Sequence, residues 1–173
     1  EPASRKGSVN PFLEINGRRV GPGYPSYLVA EMSANHEQNF DQAVEILKAA
    51  KKAGADAIKL QTYTPDTITL NCDNPHFRIR GTLWDGAKLY DLYEKAYTPW
   101  DWHPRLKEWA DRLGLDFFSS PFDESAVDFL ETLNVPVYKV ASFENVDLLL
   151  LRRIARTGKP VILSTGMATR EEL

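Results

Sequence analysis

Two lysines stand inside apolar runs of this chain, Lys59 in DAIKLQ (56–61) and Lys139 in VPVYKVASFEN (135–145). An ammonium among apolar side chains is costly unless an anion or several acceptors meet it. Small hydroxyls lie close by: Ser120 after one run, Ser142 three residues beyond Lys139, and Ser164 closing another. Point charges, hydroxyls and strand-end backbone N–H groups together suit a phosphate. Two carboxylates, Glu31 and Glu144, fall at similar positions, and Gln61 follows Lys59 by two residues. A carboxylate near cations stays ionised, so these are expected to orient hydroxyls or take a proton from water.

Each residue also has a plainer reading. A single strand lysine snorkels at a sheet edge, although two at matching positions argue against that. Ser119-Ser120-Pro121 fits the cap of a following helix, and both roles are compatible. His36 reads as a loop histidine capping the turn at Asn35. His76 and His103 have no partner at metal-ligand spacing. Trp84, Tyr90, Tyr93, Tyr97, Trp100 and Trp102 read as packing beneath a long loop. Lys51-Lys52 and Arg152-Arg153 read as solvated helix faces.

The elements that must hold these residues alternate. Strand-like runs at 27–32, 56–61, 115–119, 137–141 and 160–164 are separated by helical spacing at 39–53, near 86–96, at 101–113, 123–133 and 147–157. A polar stretch with Pro65, Asn71, Asn74, Pro75 and Gly81 interrupts the second unit. Short αβ turns imply right-handed βαβ units and a parallel sheet. Five units fit an open doubly wound sheet or most of a (β/α)₈ barrel, the TIM barrel. ATREEL at the end resembles the first turn of another helix, capped at Thr169. We therefore expect an α/β chain holding the first five βα units of a (β/α)₈ barrel at 26–173. Residues 1–25 precede it, with a β-hairpin in FLEINGRRV turning at Asn16-Gly17 and a turn or linker in GPGYP. Every strand ends in polar groups, while the N-terminal approaches are bland. Sites in parallel α/β folds form at that carboxyl end. Alternation along 137–141 puts Tyr138 and Val140 toward the helices and Lys139 inside.

A length of 173 residues fits one core, and a net charge of −3 offers no reason to expect nucleic acid or membrane as partner. Cys72 is alone, so no internal disulfide forms. No apolar run approaches 18 residues, and EPASRKGSVN lacks a signal-peptide core. A soluble, cytoplasmic protein is expected.

The segments AEMSANHEQNFDQAVEILKAAKKAGADAIKLQTYTPD, FFSSPFDESAVDFL, YKVASFE and ILSTGMAT resemble the sialic acid synthase family, in order and at family spacing. KLQTYTPDTITLN and GTLWDGAKLYDLYEKAYTPWDWH look most like the pseudaminic acid branch. N-acetylneuraminate, legionaminate and spore-coat polysaccharide synthases are related. The resemblance implies condensation of phosphoenolpyruvate with an N-acetylated amino-sugar aldehyde, with C–O cleavage and phosphate release. It implies that Lys59, Ser120, Lys139, Ser142 and Ser164 hold phosphoenolpyruvate, that Glu31 binds sugar hydroxyls, and that Gln61 lies near metal and aldehyde. Glu144 is placed by it near the enolpyruvyl carbon, where it activates water. It further implies a divalent metal, Mn or Mg, held by two histidines from strands beyond this segment, and a homodimer with an antifreeze-like C-terminal domain. The isolated segment is then expected to be inactive. A competing reading is a class I aldolase, with Lys139 or Lys59 forming a Schiff base.

Overall fold

The computed structural model describes residues 11–173; EPASRKGSVN lies outside the described residues. Two short strands, β1 (Leu13–Ile15) and β2 (Arg18–Val20), form an antiparallel hairpin. Its two-residue loop needs positive φ at both positions, which Asn16 (49°) and Gly17 (78°) adopt. Five parallel strands follow as one curled sheet in sequential order: β3 (Val29–Glu31), β4 (Ala57–Thr62), β5 (Asp116–Pro121), β6 (Tyr138–Val140) and β7 (Val161–Leu163). This is the expected half of a (β/α)₈ barrel rather than a doubly wound sheet, because no strand order reverses.

Helices α1 (Phe40–Lys52), α2 (Pro65–Ile68), α3 (Leu89–Ala96), α4 (Trp102–Leu113), α5 (Glu124–Thr132) and α6 (Leu148–Ala155) lie between the strands. Their starts are set by side-chain caps. Asn39 accepts from the N–H groups of Asp41 and Gln42, Asp123 from Ser125 and Ala126, and Asp147 from Leu149 and Leu150. Thus Asp123, not Ser119 or Ser120, caps α5. Helix α4 ends at Gly114 in the left-handed region, φ 65°. Helix α2 was not foreseen. It is four residues long, opened by a Thr64–Thr67 capping box and Pro65, so it carries no apolar period to detect. At the end of the chain Glu172 accepts from the Thr169 N–H at 2.8 Å, the reciprocal half of a capping box.

Alternation sorts each strand. Ile58, Leu60, Phe117, Tyr138 and Val140 are fully buried in the core shared with Leu47, Leu106, Leu130 and Ile154 of the helices. Tyr138 donates its hydroxyl to Glu131 on α5 at 2.7 Å, so it faces the helices as expected. The basic helix residues do more than meet solvent. Lys51 donates to the Gly114 carbonyl at 2.9 Å, tying α1 to the end of α4, and Arg153 on α6 pairs with Asp128 on α5.

The amino ends of the strands are not bland. Asp56 precedes β4 and pairs with Arg18 of the hairpin, while accepting from the Leu28 N–H at 2.7 Å. That N–H, with Arg18, holds the Asp56 carboxyl below the usual range. Asp116 accepts from Asn16 and from the Tyr27 hydroxyl, both at 2.6 Å. Ile15 is buried in the same core. The hairpin is thus pinned beneath the sheet by two strand-start aspartates.

Candidate active site

The register between strands brings the sequence-selected residues onto one rim. Glu31 is the partner of Lys59 across β3 and β4, and Gln61 is the partner of Ser120 across β4 and β5. Lys59 and Gln61 are two residues apart, so they share the face opposite the helices. On β6, Lys139 lies on that same face, opposite Ile162 of β7. Ser164 follows Ile162 by two residues and returns to it. Ser142 reaches the rim from the loop after β6, its Cβ lying 3.5 Å from where a Cβ on Gly166 would stand.

The two lysines are engaged differently. Lys59 forms an ion pair with Glu31, whose other oxygen accepts from Ser33 at 3.0 Å. Lys139 has no ion pair among the described residues. Its Nζ donates to Ser164 Oγ and to the Val140 carbonyl, each at 2.6 Å. An ammonium carries three N–H donors, so one remains for a ligand. Burial, then the Lys59 charge, pulls the Lys139 pKa below the ordinary lysine value. What meets Lys139 inside the protein is therefore a hydroxyl and a carbonyl, not an anion.

Glu144 departs from expectation. It opens a 3₁₀ turn, Glu144–Val146, just past the β6 rim. Its Oε2 is buried with no hydrogen-bond partner among the described residues. Burial raises its pKa and nearby Asp147 adds to that, while Lys139 only partly offsets it. Proximity to a cation favours the ionised form, but desolvation outweighs it and the net shift is upward.

Ser119 and Ser120 point to opposite faces, as neighbours in a strand must. Ser120 lies on the rim side. Ser119 shares a hydrogen bond of 2.6 Å with Thr62, which meets His103 Nε2 at 2.9 Å; His103 Nδ1 faces the Pro99 carbonyl at 3.2 Å. Neutral His103 thus donates from Nδ1 and accepts from Thr62, and Thr62 accepts from Ser119. The chain of hydroxyls fastens β4 and β5 from behind, one residue away from Gln61 and Ser120. Sequence spacing did not reveal it, because a buried histidine inside a helical pattern carries no signal of its partner. Burial pushes the His103 pKa down to about 4. The unfolded state, near 6.5, then binds the extra proton first, so stability must fall as pH drops from about 6.5 toward 4. A loss of roughly 3 kcal/mol is expected across that range, read by urea unfolding in a pH series. His103→Gln should flatten the curve; an unchanged pH slope would show that His103 is not buried neutral.

His36 is also buried. Its Nδ1 accepts from the Gln38 N–H at 3.1 Å and its Nε2 meets Thr98 at 2.9 Å, so it caps the turn into α1 rather than the turn at Asn35. Burial lowers its pKa. With the ring nitrogens of His36 and His103 engaged, neither suits a metal. Among the described residues no group of three His, Cys, Asp or Glu side chains is placed to hold one. The described residues by themselves do not fit a divalent metal site.

The aromatic residues divide. Trp100 stacks on Phe129 and Trp102 packs edge-on against His36 and Phe40. Tyr93 instead meets Tyr63, the residue just past β4, with ring centroids 5.6 Å apart. Trp84 is 57% exposed, so it is not packed beneath a loop.

The chain and its strand order have counterparts among known proteins. Residues 46–173 match the NeuB family. The chain belongs to that family. It is 56% identical to the pseudaminic acid synthase of Helicobacter pylori over 149 residues, covering 86% of this chain and 44% of that protein. The pseudaminic acid synthase of Campylobacter jejuni serotype O:2 is 53% identical over 147 residues, with 85% and 43% covered. The N,N'-diacetyllegionaminic acid synthase of Legionella pneumophila is 32% identical over 92% of this chain and 45% of its own length. The chain thus spans less than half the length of these curated relatives. Among solved structures, the N-acetylneuraminic acid synthetase of Leptospira borgpetersenii superposes with a TM-score of 0.79 at 26% identity, covering 93% of this chain and 52% of that one. The spore coat polysaccharide biosynthesis protein of Bacillus subtilis gives 0.74 at 28% identity, covering 93% and 42%. The resemblance in the sequence motifs is borne out, and with it a NeuB-family segment similar to sialic-acid-type synthases. No helix among the described residues is long and apolar enough to cross a membrane.

Proposed function

We propose that this NeuB-family segment is the amino-terminal part of a synthase joining phosphoenolpyruvate to an N-acetylated amino-sugar aldehyde, with pseudaminic acid as product. The observation that carries the reading is Lys139: a half-buried ammonium without an ion pair among the described residues, held by Ser164, on one rim with Lys59, Ser120 and Ser142. That set supplies the donors a phosphate and a carboxylate need. Identities of 56% and 53% to pseudaminic acid synthases support the choice of sugar.

In this reading Lys139, Lys59, Ser120, Ser142 and Ser164 hold phosphoenolpyruvate, and Lys59 turns from Glu31 toward the ligand. Glu31, so released, takes sugar hydroxyls, with Gln61 beside the aldehyde. The enol carbon bonds to the aldehyde carbon, leaving an alkoxide on its oxygen and cationic character at the phosphate-bearing carbon. Water adds at that carbon and gives one proton to Glu144, which passes it to the alkoxide. The C–O bond to phosphate then breaks, phosphate leaving with the bonding electrons and taking the proton of the added hydroxyl, so that a ketone remains; the lysines stabilise the phosphate throughout. Ligands for a family metal would come from outside these residues, and the 173-residue segment alone is proposed to be inactive.

The full-length protein, with manganese, should release phosphate only when phosphoenolpyruvate and a 2,4-diacetamido-2,4,6-trideoxyhexose are both present. Borohydride trapping with pyruvate separates the Schiff-base aldolase. A stable adduct on Lys139 or Lys59, without sugar-dependent phosphate release, would replace the synthase reading.

A further inference from the structure

The rim end of β5, which carries Ser120, is loosely held by its backbone. Toward β6 the strand has one register pair among the described residues, Ser119 with Tyr138, and Ser120 lies beyond it. Toward β4 the ladder continues to the rim, but its last pair is Thr62 with Pro121. Proline has no N–H, so β5 can accept there but not donate. The strand is weakest where its hydroxyl must be aimed.

Side chains supply the tie that the ladder lacks. Ser119 Oγ meets Thr62 Oγ1 at 2.6 Å, and Thr62 meets His103 Nε2 at 2.9 Å. His103 is fixed in turn by the Pro99 carbonyl at 3.2 Å and by edge-on contacts with Phe117 and Phe129. A second link runs beside it. Trp100 Nε1 donates to the Tyr63 carbonyl at 3.1 Å, and Trp100 stacks on Phe129. The approach to α4 and its first turn thus grip the rim end of β4 at two successive residues, Thr62 and Tyr63. The Ser119 hydroxyl passes that grip to β5. Thr62, His103 and Ser119 are fully buried, so water does not compete for these bonds. Ser120 follows Ser119 directly, and the backbone they share sets where the Ser120 side chain points.

We propose that Thr62 is a positioning residue: oriented by His103 and acting through Ser119, it holds the end of β5 so that the Ser120 hydroxyl faces the phosphoenolpyruvate site. Thr62 and Ser119 lie on the helix side of the sheet and touch no ligand in this role. The proposal rests on the synthase reading above and assigns part of that site's affinity to a hydrogen-bonded chain behind it.

The test is steady-state kinetics and thermal unfolding of the full-length protein with manganese. Wild type is compared with Thr62→Val, Thr62→Ser, Ser120→Ala and the double variant Thr62→Val/Ser120→Ala. Valine keeps the shape of threonine and removes its hydroxyl. Thr62→Val should raise KM for phosphoenolpyruvate about 10-fold, the order of one misaligned hydrogen bond to a charged ligand. KM for the diacetamido sugar should stay within about 2-fold of wild type, and Thr62→Ser should restore the phosphoenolpyruvate KM. In the Ser120→Ala background the same change should add less than about 2-fold, because its effect passes through the hydroxyl already removed. A lowered Tm with an unchanged phosphoenolpyruvate KM overturns the proposal and leaves Thr62 a packing residue. So does a parallel rise in both KM values, or an undiminished effect in the double variant. If Thr62→Val does not fold, Ser119→Ala, which removes only the hydroxyl that reaches β5, must show the same selective rise. Calorimetric titration with phosphoenolpyruvate separates this proposal from the synthase reading. A wild type that binds it without sugar-dependent phosphate release loses the synthase reading, yet Thr62→Val must still bind about 10-fold more weakly. Equal affinities overturn the positioning role, and a wild type that does not bind phosphoenolpyruvate removes both.

Discussion

Lys139→Met in the full-length protein should abolish sugar-dependent phosphate release while leaving the fold at least as stable. Methionine keeps the length of the side chain without the charge. The Lys139 ammonium is half-buried, lacks an ion pair among the described residues and has its pKa lowered by burial, so the native state bears the cost of desolvating it. Removing the charge removes that cost, and a gain on the order of 1 kcal/mol is expected, offset in part by the hydroxyl of Ser164 losing its donor. Activity moves the other way. Loss of a preorganised charge facing a leaving phosphate costs about 10²- to 10³-fold, and a greater loss is expected if Lys59 stays paired with Glu31. Lys139→Arg should not rescue, because Nζ sits 2.6 Å from both Ser164 Oγ and the Val140 carbonyl and a guanidinium does not fit that space. Thermal unfolding and a phosphate-release assay on the same preparations decide it. A variant that is both destabilised and active would show that Lys139 is held for packing.

Glu144→Gln is expected to lower kcat by about 10²- to 10⁴-fold with little change in either KM. The pH profile distinguishes a proton acceptor from a merely polar residue. Burial raises the Glu144 pKa. The carboxylate form exists above that pKa, so activity should fail as pH drops through it, at a higher pH than an ordinary glutamate would give. The acid limb should vanish in Glu144→Gln, leaving a low and flatter profile. An acid limb unchanged in position and depth would assign the proton transfer elsewhere. The unpaired Oε2 makes this carboxylate free to meet water or substrate without first breaking a protein contact.

Much of this protein was determined by the sequence alone, and the reason is local. Strand alternation has a period of two and helical packing a period near 3.6, so Lys139 could be placed inside and Tyr138 and Val140 toward the helices before any contact was known. Asn16-Gly17 suits a hairpin turn through its own backbone geometry. Tertiary structure decided what depends on partners far along the chain. Ser119 and Ser120 look alike in sequence, yet only the meeting of β5 with Thr62 and His103 separates a fastening hydroxyl from a rim hydroxyl. Asp56 and Asp116 became hairpin anchors only once Arg18, Asn16 and Tyr27 reached them. The charge on Glu144 followed the same logic. Sequence showed a cation nearby, but the depth of burial, a property of all the elements packed around it, set the direction of its pKa shift.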